Sequence, residues 1–238
     1  MMILVAEPRQ TPAIDTEIDS ISAYLAQQQV NVLGSERLAD EGATIAEYEG
    51  SAAVVTGEVS VLRAIWILDL PSRAEAVELA RKAPGGEGTL EIRESFTPQD
   101  FGAPPDPSPP VAPPPPRRKP GTHRYIAILR AHHESAGPPT LESVAPMDAY
   151  CAPLVEANTM IGGEGLKPSA KGTRVRRSAA QRFVLDGPFA ESKELVGGYM
   201  IVQVPSLDEA IDTIRPWLRI HREALRVGQT TIEVRRLV

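Results

Sequence analysis

The first apolar residues of the chain follow a helical period and are succeeded by a short extended run. Apolar positions three or four residues apart form one face, which predicts an amphipathic helix. These positions are Ile14, Ile18, Ile21 and Leu25. The apolar run at 30–33 then predicts a strand. Further along the chain, residues 125–129 predict another strand and residues 147–157 another helix.

Two segments on either side of the middle of the chain share one pattern: an apolar strand, a proline that ends it, and a helix. The first runs from 64 to 76 and the second from 198 to 210. Both helices open with a serine three residues before a glutamate, the spacing of a capping box, in which the two side chains bond amide groups of the first helical turn. The two predicted boxes are Ser72 with Glu75 and Ser206 with Glu209.

Further matches keep the same order on both sides of the chain. Residues 34–38 parallel 162–166, and residues 89–93 parallel 231–235. We therefore predict a duplicated module that runs strand, helix, strand, strand, strand, helix, strand. Two amphipathic helices over one face of such a sheet suit a ferredoxin-like α+β domain. The other sheet face also needs cover, so we predict two such domains packed sheet to sheet as an intrachain pseudo-dimer.

A proline-rich stretch separates the two predicted domains. Eleven of the 23 prolines fall between Pro98 and Pro120. A run so poor in amide donors favours extended polyproline II structure over helix or sheet. We predict that 99–122 is a spacer between a domain at 1–98 and a domain at 123–238, with a docking motif for SH3-like partners as the alternative.

Charge and cysteine content narrow the classes of partner and compartment. Residues 1–98 hold 7 basic and 16 acidic residues and residues 123–238 hold 15 and 13, which argues for docking between the halves and against nucleic acid. Cys151 is the single cysteine, so no internal disulfide forms, which fits a reducing compartment. With a short apolar start and no apolar run of about 20 residues, we expect a cytoplasmic protein without a membrane partner.

One motif in the second copy is specific enough to indicate a family. Asp-Gly-Pro-Phe at 186–189, the following Ala-Glu-Ser-Lys-Glu, and Gly-Gly-Tyr at 197–199 resemble the signature of the DGPF branch of the YCII-related family. The resemblance covers almost all of 123–238. The first copy has Thr-Gly-Glu-Val at 56–59 instead, and it reads as a degenerate relative.

The resemblance implies a ferredoxin-like domain that dimerises into an α/β barrel with a cleft between sheet and helices. It also implies, for some relatives, cofactor-independent chemistry on small cyclic metabolites with a helix histidine and a later aspartate. The position of that histidine falls near Pro146 and Met147 here. Neither side chain transfers a proton, so we expect any acid–base group to lie elsewhere.

The candidate catalytic residues are Asp186, as a general base, and His132, which titrates near neutral pH at the cleft mouth. The candidate substrate-binding residues are Arg130, Tyr150, Glu164, Phe189, Glu191 and Lys193. The alternative is structural: Asp186 caps a turn and Glu191 pairs with Lys193 in solvent. Neighbouring residues on an extended chain point to opposite faces, so His132 and His133 cannot hold one metal ion together.

Two functions remain open on the sequence alone. The first is a cofactor-independent enzyme that performs proton-transfer, lyase or cyclisation-type chemistry on a small organic metabolite in a cleft of the second domain. The second is a non-catalytic module that binds a metabolite or a protein partner. Both expectations include no metal and no cofactor, and both leave room for a further homodimer.

Overall fold

The computed structural model describes residues 2–8, 14–48, 51–57, 59–60, 62–104, 117–131, 140–178, 180–189, 195–225 and 230–238. Within these ranges the protein is a mixed α+β structure with four α-helices, and its paired strands run antiparallel. This arrangement is consistent with the predicted ferredoxin-like α+β class.

The elements follow each other in a similar order in the two halves of the chain. The first half contains β1 (Met2–Pro8), α1 (Ile14–Gln27), β2 (Asn31–Tyr48), β3 (Ser51–Thr56), β4 (Ala64–Asp69), α2 (Arg73–Lys82) and β5 (Gly88–Glu94). The second half contains β6 (His123–Ala131), α3 (Leu141–Glu156), β7 (Met160–Gly165), β8 (Thr173–Arg177), β9 (Arg182–Asp186), β10 (Leu195–Val204), α4 (Leu207–Leu225) and β11 (Thr230–Leu237). Short 3-10 helices lie at Pro98–Phe101 and Ser169–Lys171.

The serine half of each predicted capping box is present. The Ser72 hydroxyl accepts the amide of Glu75 at 3.3 Å, and α2 begins at the next residue, Arg73. The Ser206 hydroxyl accepts the amide of Glu209 at 3.2 Å, and α4 begins at Leu207. Each cap satisfies an amide that the first helical turn leaves without an intrahelical acceptor.

Helix α3 begins earlier than the sequence predicted. The expected start was residue 147, whereas the helix starts at Leu141, where Thr140 accepts the amide of Ser143 at 3.2 Å. Pro146 therefore lies inside the helix. A proline lacks one amide donor, and the helix continues through both Pro146 and Pro153 despite that loss.

The strands of the two halves join in one hydrogen-bonded order, β7-β10-β6-β11-β2-β4-β1-β5-β8-β9, with β3 on β2. Strand β2 is long enough to pair with β4 through its first residues and with β11 through its last. Conversely, β8 of the second half pairs with β5 of the first. The β2–β3 hairpin of the first half thus pairs with a strand of the second half, and the β8–β9 hairpin of the second half pairs with a strand of the first.

Three groups of buried apolar residues fill the interior. The first group lies between the first-half sheet and helices α1 and α2, and includes Trp66 and Val175. The second group lies beneath α3 and α4, and includes Met200 and Trp217. The third group draws residues from both halves: Leu38, Leu62, Ile65, Ile126, Ile128, Leu166, Val196, Tyr199, Ile201 and Leu237. We call it the shared core, because its burial depends on contact between the halves.

Buried arginines tie the halves together through backbone carbonyls, among them Arg93 and Arg235. Arg93 of β5 donates from Nε to the carbonyl oxygen of Lys167 at 3.1 Å. Arg235 of β11 donates from Nε to the carbonyl oxygen of Ala39 at 2.6 Å. Each guanidinium also pairs with the glutamate two residues before it on the same strand. These bonds satisfy charges that would be costly to bury alone.

The stretch predicted as a spacer is described only at its two ends, 99–104 and 117–122. Its first residues pack on the second half rather than leading away from it. The amide of Phe96 donates to the carbonyl oxygen of Gly165 at 2.9 Å, and Lys167 pairs with Asp100 at 3.1 Å. Residues 105–116, the most proline-rich part, lie outside the described residues.

Candidate functional site

A cavity of about 550 Å³ lies between the sheet of the second half and helices α3 and α4. Most of its wall is apolar. Its larger apolar side chains include Leu129, Met147, Met160, Met200, Trp217 and Ile220. Cavities of a few hundred Å³ with an apolar lining and few polar groups are typical of small-molecule sites.

The chain leaving the first half supplies one wall of this cavity. Phe96, Thr97 and Phe101 line it, and the two phenylalanine rings lie 5.4 Å apart between centroids. The wall is held by polar contacts: the amide and hydroxyl of Thr97 both donate to Asp100, at 2.7 and 2.8 Å. Lys167 of the second half pairs with the same aspartate. A cavity in the second half is thus completed by residues 96–101, which follow β5.

Glycines keep strands β7 and β10 close together at the cavity. Gly163, Gly165, Gly197 and Gly198 all line it. A Cβ on Gly198 would stand 2.7 Å from the carbonyl oxygen of Glu164, and one on Gly163 would stand 3.0 Å from that of Tyr199. Gly198 of the Gly-Gly motif therefore serves a close backbone approach beside the cavity.

Glu164 is the ionisable residue of β7 in the cavity wall. Burial raises the pKa of its carboxyl to about 7, because a low-dielectric environment disfavours the charged form. It lies directly opposite Tyr199 in the β7–β10 register. Opposed residues of antiparallel strands share a face, so the carboxyl lies on the side of the shared core, to which Tyr199 belongs.

The residue that the sequence aligns with Glu164 in the first half has a different environment. Glu36, on β2, receives a hydrogen bond from Arg124 at 2.8 Å. Glu164 has no ion pair with any residue in the described ranges. Only the second-half carboxyl thus combines a cavity position with a raised pKa and no cationic side chain beside it among those residues.

His221 enters the cavity wall from α4. Burial lowers the pKa of its imidazole to about 4, so the ring is neutral at physiological pH. Its Nδ1 is buried and finds no hydrogen-bond partner among the described residues. A buried ring nitrogen left unpaired is costly to the fold, and a ligand in the cavity would offset that cost.

Cys151 and Asp148 of α3 also line the cavity. Burial raises the pKa of the Cys151 thiol to about 11, so the thiolate needed for nucleophilic attack is scarce at neutral pH. Cys151 also packs against the second group of buried residues. Cys151 thus contributes to the packing of α3.

Two of the predicted substrate-binding residues serve the packing of the second half instead of lining this cavity. The Tyr150 hydroxyl donates to the carbonyl oxygen of Thr213, which ties α3 to α4. Arg130 donates from Nε to Glu233 at 3.0 Å and from Nη2 to Ser60 at 2.6 Å. Both partners of that ion pair are nearly inaccessible to solvent, so the pair belongs to the interior.

The signature Asp-Gly-Pro-Phe also lies away from the cavity lining. Asp186 accepts the hydroxyl of Thr173 at 2.7 Å, and the Phe189 ring lies 4.1 Å from the guanidinium of Arg174. Arg174 in turn donates to Glu91 of β5 at 2.8 Å. Arg174 thus fastens the β8–β9 hairpin to the first half.

The remaining three predicted site residues, His132, Glu191 and Lys193, lie outside the described residues. Glu164 is thus the predicted site residue that lines the cavity, and His221 is the residue that the sequence analysis missed. A signal for His221 was present: Ile214, Trp217 and Leu218 precede it by seven, four and three residues. That spacing places the imidazole on the apolar face of α4.

Comparison with known proteins supports a family assignment for the second half. Residues 124–216 match the model of the YCII-related domain. They form a YCII-related domain. An uncharacterized protein of Rhizobium meliloti (strain 1021) is 41% identical over 61 residues, which are 26% of this chain and 49% of that relative. The chain thus spans about half the length of the curated relative that it matches.

The cavity lining includes Glu164 and His221, whose side chains can exchange protons or form hydrogen bonds.

No cluster of three or more histidine, cysteine, aspartate or glutamate side chains that could hold a metal ion occurs within the part of the chain that is described. In the same part, no helix has the length and apolar character needed to cross a membrane.

Proposed function

We propose that the cavity of the YCII-related domain binds a small organic molecule and catalyses a cofactor-independent proton transfer on it. The observation that carries this proposal is the position of Glu164 in the wall of a largely apolar cavity, with a pKa of about 7. A general base works best when its pKa lies near the working pH, because both protonation states are then populated.

Each ionisable residue has its own role in this proposal. Glu164 takes a proton from a ligand that extends past the edge strand β7 to the carboxyl on the shared-core side, and returns the proton at another position, which is the net change in an isomerisation. His221 stays neutral, since burial holds its pKa at about 4, and hydrogen-bonds a polar group of the ligand through its buried Nδ1. Phe96 and Phe101 exclude water from the ligand on the side of the linker.

We also propose that the two halves arose by duplication and pack as an intrachain pseudo-dimer of ferredoxin-like domains, with the second half in the DGPF branch. The shared core and the reciprocal bonds of Arg93 and Arg235 support this arrangement. In the aligned segments Trp66 corresponds to Met200. Trp66 is fully buried and donates to Ser22 at 3.0 Å, so its indole fills space in the first half where the second half has its cavity.

A binding module without catalysis is the second candidate, and the strand register favours it. Glu164 shares the face of Tyr199, whereas His221 comes from α4 on the helical side of the sheet. A ligand that contacts only the helical side would meet His221 and the apolar wall without reaching the carboxyl. Such a ligand would be held and not turned over.

A ligand screen with three proteins tests the proposed cavity. Small acidic and cyclic metabolites are screened by thermal shift against the wild type, Met200→Trp and Asp186→Ala. Ligand binding to the native state raises the melting temperature. We expect ligands that stabilise the wild type and Asp186→Ala but not Met200→Trp, in which an indole occupies the cavity. A ligand that raises the melting temperature of Met200→Trp but not that of Asp186→Ala would instead indicate a site at the Asp-Gly-Pro-Phe signature.

A second experiment separates catalysis from binding. A ligand found in the screen is incubated with enzyme in D₂O, and deuterium incorporation is followed by proton NMR. We expect incorporation with the wild type and at least about a hundredfold slower incorporation with Glu164→Gln, the contribution typical of a general base. Retained binding by Glu164→Gln in the thermal-shift assay shows that the site is intact. Binding by the wild type without incorporation would support the binding module.

A further inference from the structure

Strand β9 ends the hydrogen-bonded order of strands and exposes its apolar side chains. All five of its residues, Arg182–Asp186, are exposed. The central three are apolar, with exposed fractions of 53% for Phe183, 41% for Val184 and 40% for Leu185. An apolar strand at the edge of a sheet is a template for pairing with another strand.

The sequence of β9 is complementary to itself when read in the opposite direction. It reads Arg-Phe-Val-Leu-Asp. In an antiparallel pair of two such strands centred on Val184, Arg182 of each strand lies opposite Asp186 of the other. Phe183 then lies opposite Leu185. Opposed residues share a face, so charges meet opposite charges and apolar side chains meet apolar side chains.

The backbone of β9 presents its free hydrogen-bonding groups at the right positions. On its inner side, Gly187 donates to the carbonyl oxygen of Gly172, and the carbonyl oxygen of Gln181 accepts the amide of Ser178. Hydrogen-bonding direction alternates along an antiparallel strand, so the odd-numbered residues face β8. The amides and carbonyls of Arg182, Val184 and Asp186 therefore face outward.

We propose that β9 pairs antiparallel with β9 of a second copy of this chain, about a two-fold axis at Val184. A two-fold axis between two antiparallel strands places one residue opposite its own copy, as either a hydrogen-bonded or a non-hydrogen-bonded pair. Val184 can form the hydrogen-bonded kind, because its backbone groups are among those that face outward, and the opposed charges of Arg182 and Asp186 select this register. The pairing continues the sheet of one chain into that of the other.

The hairpin that carries this edge is held firmly. Asp186 is bonded to Thr173, and Arg182 donates to the carbonyl oxygen of Ala83 at 2.8 Å. The guanidinium has further donors and the carboxylate a second oxygen, so both retain capacity for contacts across the axis. The other exposed apolar edge, β3, has the sequence Ser-Ala-Ala-Val-Val-Thr, and it lacks charges to fix a register.

Sedimentation velocity over a range of concentrations tests the proposal with the full chain. We expect the wild type to associate into a species of twice the 25.7 kDa chain mass. Val184→Lys places two like charges on the axis and should raise the dimer dissociation constant at least about tenfold. Val55→Lys on β3 is the matched control, since Val55 is similarly exposed at 38%, and it should leave the constant unchanged.

Charge exchange tests the register separately. Arg182→Glu alone opposes two acidic side chains and should weaken association, and the double variant Arg182→Glu with Asp186→Lys should restore it. Circular dichroism and thermal melting identify variants that fail to fold, which are then replaced by Arg182→Gln. A wild type that stays monomeric up to its solubility limit would overturn the proposal. So would a dimer that Val55→Lys weakens as much as Val184→Lys, or that the double variant fails to restore.

Discussion

Gly187 lies directly against the carbonyl oxygen of Ser169. A Cβ at position 187 would stand 1.8 Å from that oxygen, a distance at which backbone atoms must move. The glycine of the signature is thus required by a close approach between two segments of the second half. The hairpin that ends at this glycine also pairs with β5 of the first half.

Gly187→Ala should therefore destabilise the protein by about 2 kcal/mol or more, since overpacking forces the backbone to shift. Urea denaturation followed by circular dichroism measures the change. Gly86→Ala is the matched control, because a Cβ at position 86 meets nothing within 4 Å. Equal stability of the two variants would contradict the steric role of Gly187.

Glu164 makes the stability of the fold depend on pH at values above those at which a glutamate carboxyl ordinarily titrates. Its folded-state pKa of about 7 lies above the reference value of 4.5, so its carboxyl stabilises the fold below pH 4.5 and this contribution is lost as pH rises through 7. The loss is at most about 3 kcal/mol, and partial solvent access reduces it.

Glu164→Gln should accordingly raise the melting temperature at pH 8 and leave it nearly unchanged at pH 4.5. Thermal denaturation across this range measures the difference from wild type. Glu156→Gln, at an exposed position of α3, controls for the loss of one negative charge. A pH-independent difference for Glu164→Gln would show that the carboxyl does not titrate near 7.

His221 should make the stability of the fold depend on pH at acidic values. Its folded-state pKa of about 4 lies below the reference value of 6.5, so the stability associated with the neutral ring is present above pH 6.5 and is lost as pH falls through 4. His221→Phe should flatten the profile between these values. His123→Gln, at an exposed position, should retain the slope of the wild type in the same thermal melts.

Arg93 should be far more important to stability than an exposed arginine. It is almost wholly buried, pairs with Glu91 at 3.0 Å and donates to the carbonyl oxygen of Lys167. Arg93→Met leaves these groups without that donor and should cost about 3–5 kcal/mol in the free energy of unfolding.

Arg37→Met is the control for a surface ion pair. Arg37 pairs with Asp15 and Asp19, both largely exposed, so the loss should stay below about 1 kcal/mol. Urea denaturation measures the free energy of unfolding of both variants. A cost for Arg93→Met as small as that for Arg37→Met would show that the contact between the halves adds little to stability.

The sequence by itself determined the local elements of this protein. The serines at 72 and 206 cap the helices they predicted, and the helical spacing that begins at Ile14 coincides with α1. Periodicity and capping depend on neighbours within a few residues, so one sequence contains the necessary information. The same holds for the signature that indicated the family of residues 124–216.

The tertiary structure alone decided where these elements meet. The β8–β9 hairpin pairs with β5, and Phe96 lines a cavity of the other half. Burial raises the pKa of both Glu164 and Glu36, but only Glu36 receives an arginine, Arg124, among the described residues. Pairing across distant segments, burial and the resulting electrostatics depend on atoms that are remote in the chain. Residue type and spacing therefore identified Glu164 as a candidate, and only the packing of α4 against the sheet brought His221 to the same cavity.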